Sequence, residues 1–210
     1  MIICEELLFK YGGVYEIYDN NHIIFEEGQS AKYYFQIHKG IVEVNNFDES
    51  GKEFTQHILV KGKGIGESFI IGNVPYTVNA VTKSVCTVIK LPKYQFTKML
   101  HENPEVSLAI CKNIAERLSD NYYMMFVLIS QDPESKVETM LQYLKSGSDK
   151  DEKYSYEIPI TRQQIANLTG LRVETVIRTV KKLEKSNKIR IRNRKIFARF
   201  TRCLLFNYCI

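Results

Sequence analysis

TRQQIANLTGLRVETVIRTVKKLEK, residues 161–185, reads as two short helices joined by a tight turn. Thr161 is a good N-cap, and Gln164 follows three residues later, the spacing of a capping box. Ile165, Ala166 and Leu168 give the first helix an inward face, and Ala166 is small enough for a second helix to cross close by. Gly170 supplies the permissive backbone of a sharp turn. Leu171 and Val176 plug the angle, and Val180 and Leu183 extend the apolar stripe. The outward face keeps Arg172, Glu174, Arg178, Lys181 and Lys182. This is the pattern of a helix-turn-helix, whose second helix enters a DNA major groove. A plain amphipathic hairpin would share the charged face but would not require Ala, Gly and Val at these offsets.

The charge distribution agrees. Residues 1–153 carry 16 Lys and Arg against 21 Asp and Glu, a balance of −5, whereas residues 154–210 carry 13 against 3, a balance of +10. An acidic front joined to a basic tail suggests that only the tail meets nucleic acid. No run approaches the length of a membrane span, and the N-terminus is too acidic for a signal peptide. Five dispersed cysteines lack metal spacing and suit reduced thiols, so a cytoplasmic location without a metal or cofactor is expected.

The run RQQIANLTGLRVETVIRTVKKLEKSNKI resembles the helix-turn-helix of the Crp/Fnr family of bacterial transcription regulators. The resemblance implies that Glu174 and Arg178 read base edges. Being four apart, they share a helix face. Arginine can bond guanine O6 and N7, and a carboxylate can accept from cytosine N4. Val173 and Ile177 complete the expected base-reading set. Val173 points to TTGA-like half-sites, and Ile177 is able only to touch a thymine methyl. Thr161, Arg162, Gln163, Arg172, Thr175 and Lys181 are candidate phosphate contacts, which set register without reading sequence. KIRIRNRKIFARF alternates around Asn193–Arg194, the pattern of a β-hairpin wing whose Arg190, Arg192, Arg194 and Lys195 lie near phosphates. The apolar end, CLLFNYCI, falls outside the family pattern.

From His22 to Leu91 short alternating runs and frequent turns predict a small closed β-structure. Its glycines at 28, 40, 51 and 66 and the pair Gly66–Glu67 resemble the family's cyclic-nucleotide-binding β-roll. The fold class expected is α+β: a β-roll (residues 1–104), a long dimerisation helix (105–131) and a winged helix-turn-helix (132–210). The effector pocket is expected at Gly66, Glu67, Tyr76, Thr77, Asn121 and Tyr122. There the sequence departs from members that bind cyclic AMP. Their Arg-Ser pair falls near Tyr76 and Thr77, allowing for a loop about one residue shorter, and no Arg or Lys lies between Lys63 and Lys83. An anion buried there would lack its counter-charge. Tyr122 stands where relatives place a small hydroxyl residue and is expected to fill the pocket. His22, His38, His57 and His101 read as ordinary strand or surface residues, with haem ligation left open.

Residues 105–130 contain no Gly or Pro, and Cys111, Ile114, Leu118, Asn121, Met125 and Leu128 recur at alternating three and four, a coiled-coil seam. Gln131-Asp132-Pro133 is a natural hinge, and Val137, Met140, Leu141 and Leu144 face inward on the next helix.

The expectation is a homodimeric DNA-binding regulator on a palindromic site, with RNA polymerase as partner if it activates. The signal is unspecified and is not expected to be cyclic AMP. A ligand-sensing module acting on a protein partner, or a cyclic-nucleotide-responsive regulator with a non-standard pocket, is the alternative. An enzyme is not expected, since KGKGIGE lacks the Lys-Ser/Thr ending of a phosphate loop.

Overall fold

The computed structural model describes residues 2–146 and 154–198. The chain forms two compact units, residues 1–119 and 120–210, and the division falls inside one helix.

The first unit begins with α1 (Glu5–Lys10) and β1 (Val14–Tyr18). Strands β2 (Ile23–Phe25), β3 (Tyr33–Lys39), β4 (Val42–Phe47), β5 (Glu53–Leu59) and β6 (Gly64–Ile65) follow. Next come the short α2 (Glu67–Ile71), β7 (Asn79–Thr82), β8 (Cys86–Pro92) and α3 (Lys93–Glu102). The strands make two antiparallel four-stranded sheets, ordered β1-β8-β3-β6 and β2-β7-β4-β5. One core serves both, with Phe25, Val42, Val44 and Ala80 from one sheet and Phe35, Ile65 and Val88 from the other. The expected break at Gly40 is present. Its φ is +104°, and a Cβ there would meet Cys86 Sγ and the Val85 carbonyl well inside contact distance. Helix α2 was not foreseen; five residues between Gly66 and Gly72 are too few to show a period.

The long helix α4 (Pro104–Ile129) matches the Gly- and Pro-free run. In the second unit the chain breaks at 130–132 and resumes as α5 (Pro133–Ser146), where Val137, Met140 and Leu141 are buried as expected. Then come β9 (Tyr156–Glu157), α6 (Arg162–Thr169), α7 (Val173–Lys185), β10 (Ile189–Arg192) and β11 (Lys195–Ala198). The last three strands form one sheet, β10-β11-β9. Ile165, Ala166, Val176, Val180 and Leu183 share the core of this unit with Val137, Leu141 and Ile189. The apolar end, residues 203–210, lies outside the described residues.

Candidate nucleic-acid interface and effector pocket

Local chemistry sets the two helices of the motif. The Thr161 side chain accepts from the Gln164 amide at 3.1 Å, and Gln164 accepts from the Thr161 amide at 2.9 Å, closing the capping box. Gly170 ends α6 in the left-handed region at φ +68°, where a side chain would meet nothing. Glycine is therefore required by the backbone conformation and not by crowding. Arg172 precedes α7 without a capping bond.

With Val176, Val180 and Leu183 fully buried, the opposite face of α7 presents Arg172, Glu174, Arg178 and Lys181 to solvent. Ile177 joins them at 37% exposure. Among the described residues neither Glu174 nor Arg178 forms an ion pair, so both side chains are available to base edges. Val173, expected with the base readers, is half-buried and packs against the core of its own unit. Thr175 is half-buried.

Three expected phosphate-binding side chains carry internal bonds. The Arg162 guanidinium donates to the Arg194 carbonyl at 2.7 Å. Gln163 donates to Asn167 Oδ1 at 2.8 Å. Lys195 pairs with Glu157 at 2.6 Å across the wing sheet. The wing turn is tight, with Asn193 and Arg194 both left-handed at φ +49° and +63°, as a two-residue hairpin requires. Arg190 lies 4.7 Å from the ring of Tyr154 and Arg192 5.6 Å from that of Phe197, and both remain exposed. Lys182 pairs with Glu134 of α5 at 2.5 Å, and that bond raises the lysine pKa.

In the first unit the Gly-Glu pair occupies a closed setting. Gly66 has φ +100°, and a Cβ would lie 2.7 Å from the Tyr33 carbonyl. Glu67 is fully buried. Its partner is Arg117 of α4, whose Nη1 lies 2.8 Å from Glu67 Oε1 while another guanidinium nitrogen donates to the Gly64 carbonyl. The contact is an ion pair without an aligned hydrogen bond to either carboxylate oxygen. No local pattern in the sequence marks Arg117, because pairing across the fold leaves no period.

Tyr76, expected at the effector pocket, is 3% exposed. Its ring stacks on Phe25 with centroids 3.8 Å apart and meets Phe69 edge-on at 5.5 Å. Its hydroxyl donates to the Tyr33 carbonyl at 3.0 Å. Burial pushes the phenol pKa up. Thr77 is exposed. On α4, Asn121 is exposed and Tyr122 is 63% exposed.

The unpartnered row on α4 also differs in phase from expectation. Cys111, Leu118 and Met125 are exposed, but Ile114 packs against the β-roll core and Leu128 is half-buried. The exposed row instead runs Leu108, Cys111, Ala115, Leu118, Tyr122, Met125 and Ile129, which is equally three-four spaced. Both rows share 111, 118 and 125, so spacing alone does not separate them; burial of Ile114 does.

The profile of the cyclic nucleotide-binding domain matches residues 15–103, and that of the Crp-like helix-turn-helix domain matches residues 135–199. The chain belongs to the Crp/Fnr family. Among curated relatives of this Crp/Fnr regulator is the cAMP-activated global transcriptional regulator CRP of Salmonella typhimurium. The two are 28% identical over 187 residues, 88% of this chain and 89% of the relative. The Haemophilus influenzae protein of the same name is 25% identical over 181 residues, covering 85% and 81%. The fold matches a CooA mutant from Carboxydothermus hydrogenoformans (TM-score 0.79, 17% identity, 93% and 87% covered). It also matches the c-di-GMP responsive regulator CLP of Xanthomonas campestris (TM-score 0.75, 19% identity, 92% and 97% covered). Among the described residues of this regulator no helix is long and apolar enough to cross a membrane, and no group of three His, Cys, Asp or Glu is placed to hold a metal.

Proposed function

We propose that this Crp/Fnr regulator binds palindromic DNA with TTGA-like half-sites as a homodimer and does so without cyclic AMP. Residues 1–104 serve as sensor, 105–131 as dimerisation segment and 132–210 as DNA-binding domain. The observation that carries the reading is the exposed, unpaired Glu174 and Arg178 on one face of α7. A base-reading role needs both groups free and four residues apart. Arg172 and Lys181 flank them as phosphate contacts, and exposed Arg190 and Arg192 extend the basic surface along the wing. Independence from cyclic AMP rests on Tyr76, which fills the position of the phosphate-binding arginine and brings no charge. A buried cyclic phosphate without a cation is costly.

The test is a gel-shift titration at physiological salt. The full chain is presented with a TTGA-type palindromic duplex and a scrambled duplex, with and without cyclic AMP, beside Arg178→Ala. Selective binding by the wild type, its loss in the variant and indifference to cyclic AMP are expected. Equal weak binding to both duplexes, persisting after selection from random duplexes, would overturn the DNA reading in favour of a protein partner. Selectivity that appears only with cyclic AMP would overturn the effector reading alone.

A further inference from the structure

The exposed side chains of α7 are Glu174, Ile177, Arg178, Lys181, Lys182 and Lys185. All are charged except Ile177. It is 37% exposed, three residues after Glu174 and four before Lys181, the offsets at which side chains share a helix face. Val173, one turn earlier, packs against the core of the unit, so the apolar flank of α7 comes out into solvent at Ile177.

A single exposed aliphatic side chain is ordinary on a protein surface. On this face its chemistry is informative. Isoleucine is a poorer helix former than Arg, Lys or Glu, so helix stability does not account for it. It has no donor or acceptor, so it can neither hold a phosphate nor read the polar pattern of a base edge. The major groove offers it one apolar partner, the methyl group on C5 of thymine. 5-Methylcytosine carries the same methyl at the same ring position, on the same groove edge. Uracil and cytosine carry hydrogen there.

We propose that Ile177 reads the 5-methyl group of a pyrimidine in each half-site, so that thymine is favoured over uracil, and 5-methylcytosine over cytosine, at that base pair. The inference rests on the DNA reading above and extends it from base sequence to base modification: binding responds to cytosine methylation at this position. Taking one methyl group out of water against the isoleucine is worth about a fourfold change in affinity per half-site.

The full chain is first given the duplex it selects from a random pool. Each thymine of that duplex is then replaced in turn, symmetrically in both half-sites, by uracil, and by cytosine or 5-methylcytosine paired with guanine. Affinities are measured by competition gel shift for the wild type, Ile177→Ala and Ile177→Val, so that each base change and each substitution close a double-mutant cycle. At one position the wild type should lose about fourfold per half-site from thymine to uracil and gain about as much from cytosine to 5-methylcytosine. Ile177→Ala should be indifferent to both changes, and Ile177→Val, which keeps a branched apolar surface, should retain part of the response. Both variants should melt with the wild type, since the side chain is exposed, which separates a lost contact from a lost fold. A methyl effect that is absent at every position, confined to uracil, or equal in the wild type and Ile177→Ala overturns the inference and leaves the DNA reading standing. Selection of no sequence at all overturns the DNA reading itself, and the inference falls with it.

Discussion

At position 76 a phenol ring lies between Phe25 and Phe69 and closes its hydroxyl onto the Tyr33 backbone. Removing the ring leaves a void lined by aromatics, and such truncations cost about 3–5 kcal/mol. Tyr76→Ala should therefore lower the unfolding free energy read from a urea titration by that order, whereas Tyr76→Phe, which loses only the hydroxyl bond, should cost about 1 kcal/mol. A Tyr76→Ala variant as stable as wild type would mean that the ring is not packed as described. On α7 two neighbouring cations should behave differently. Arg178→Ala should lose about 1–3 kcal/mol of discrimination between cognate and mismatched duplexes. Lys181→Ala should weaken all duplexes alike and reduce the slope of log K against log salt by about 0.9. Filter-binding titrations at several salt concentrations separate the two. The want of a cation at the effector position was legible in the sequence, since no Arg or Lys lies between Lys63 and Lys83. The tyrosine's burial partners were not, because Phe25 and Phe69 sit on other elements.

Among elements, α6 and α7 were the most legible. Their signals are local: a capping box, a left-handed glycine and one apolar stripe on each helix. The wing was legible for the same reason, from two turn residues between alternating strands. The phase of α4 was not, because two rows share every second position and only packing chooses between them. The start of α5 depends on Asp132, read as a hinge residue. Its carboxylate accepts from the amides of Glu134 at 3.3 Å and Ser135 at 2.9 Å and from the Ser135 hydroxyl at 2.8 Å. These bonds, the Ser135 hydroxyl foremost, hold its pKa below the usual aspartate value. A depressed carboxylate pKa contributes stability that is present above the unfolded value and lost as pH falls through the folded one. Thermal unfolding of Asp132→Asn, which keeps an acceptor but no titratable charge, should show a smaller fall in melting temperature than wild type between pH 5 and acid. An identical pH profile would remove Asp132 from the account.

For the whole molecule the exposed row on α4 is the feature a single chain leaves unexplained. Leu108, Leu118, Tyr122, Met125 and Ile129 are all at least 48% exposed, and they recur at the three-four spacing of a two-stranded seam. A second copy of the same helix is the partner that this spacing fits. In the dimer proposed above, two recognition helices would dock on one palindrome, and the second docking event would be intramolecular, raising affinity by about 10²–10⁴-fold over a single module. A charge placed in the row should separate assembly from folding. Leu118→Asp should sediment as a folded monomer with an unchanged circular dichroism spectrum. Its affinity for the palindrome should fall to that of an isolated half-site. Ile114→Asp, four residues away, should do the opposite kind of damage, because Ile114 packs against the β-roll core: a lower melting temperature, with loss of the dimer only as a consequence of unfolding. If Leu118→Asp remains a dimer while Ile114→Asp dissociates without unfolding, the seam runs through Ile114, Asn121 and Leu128 after all, and the exposed row needs another partner.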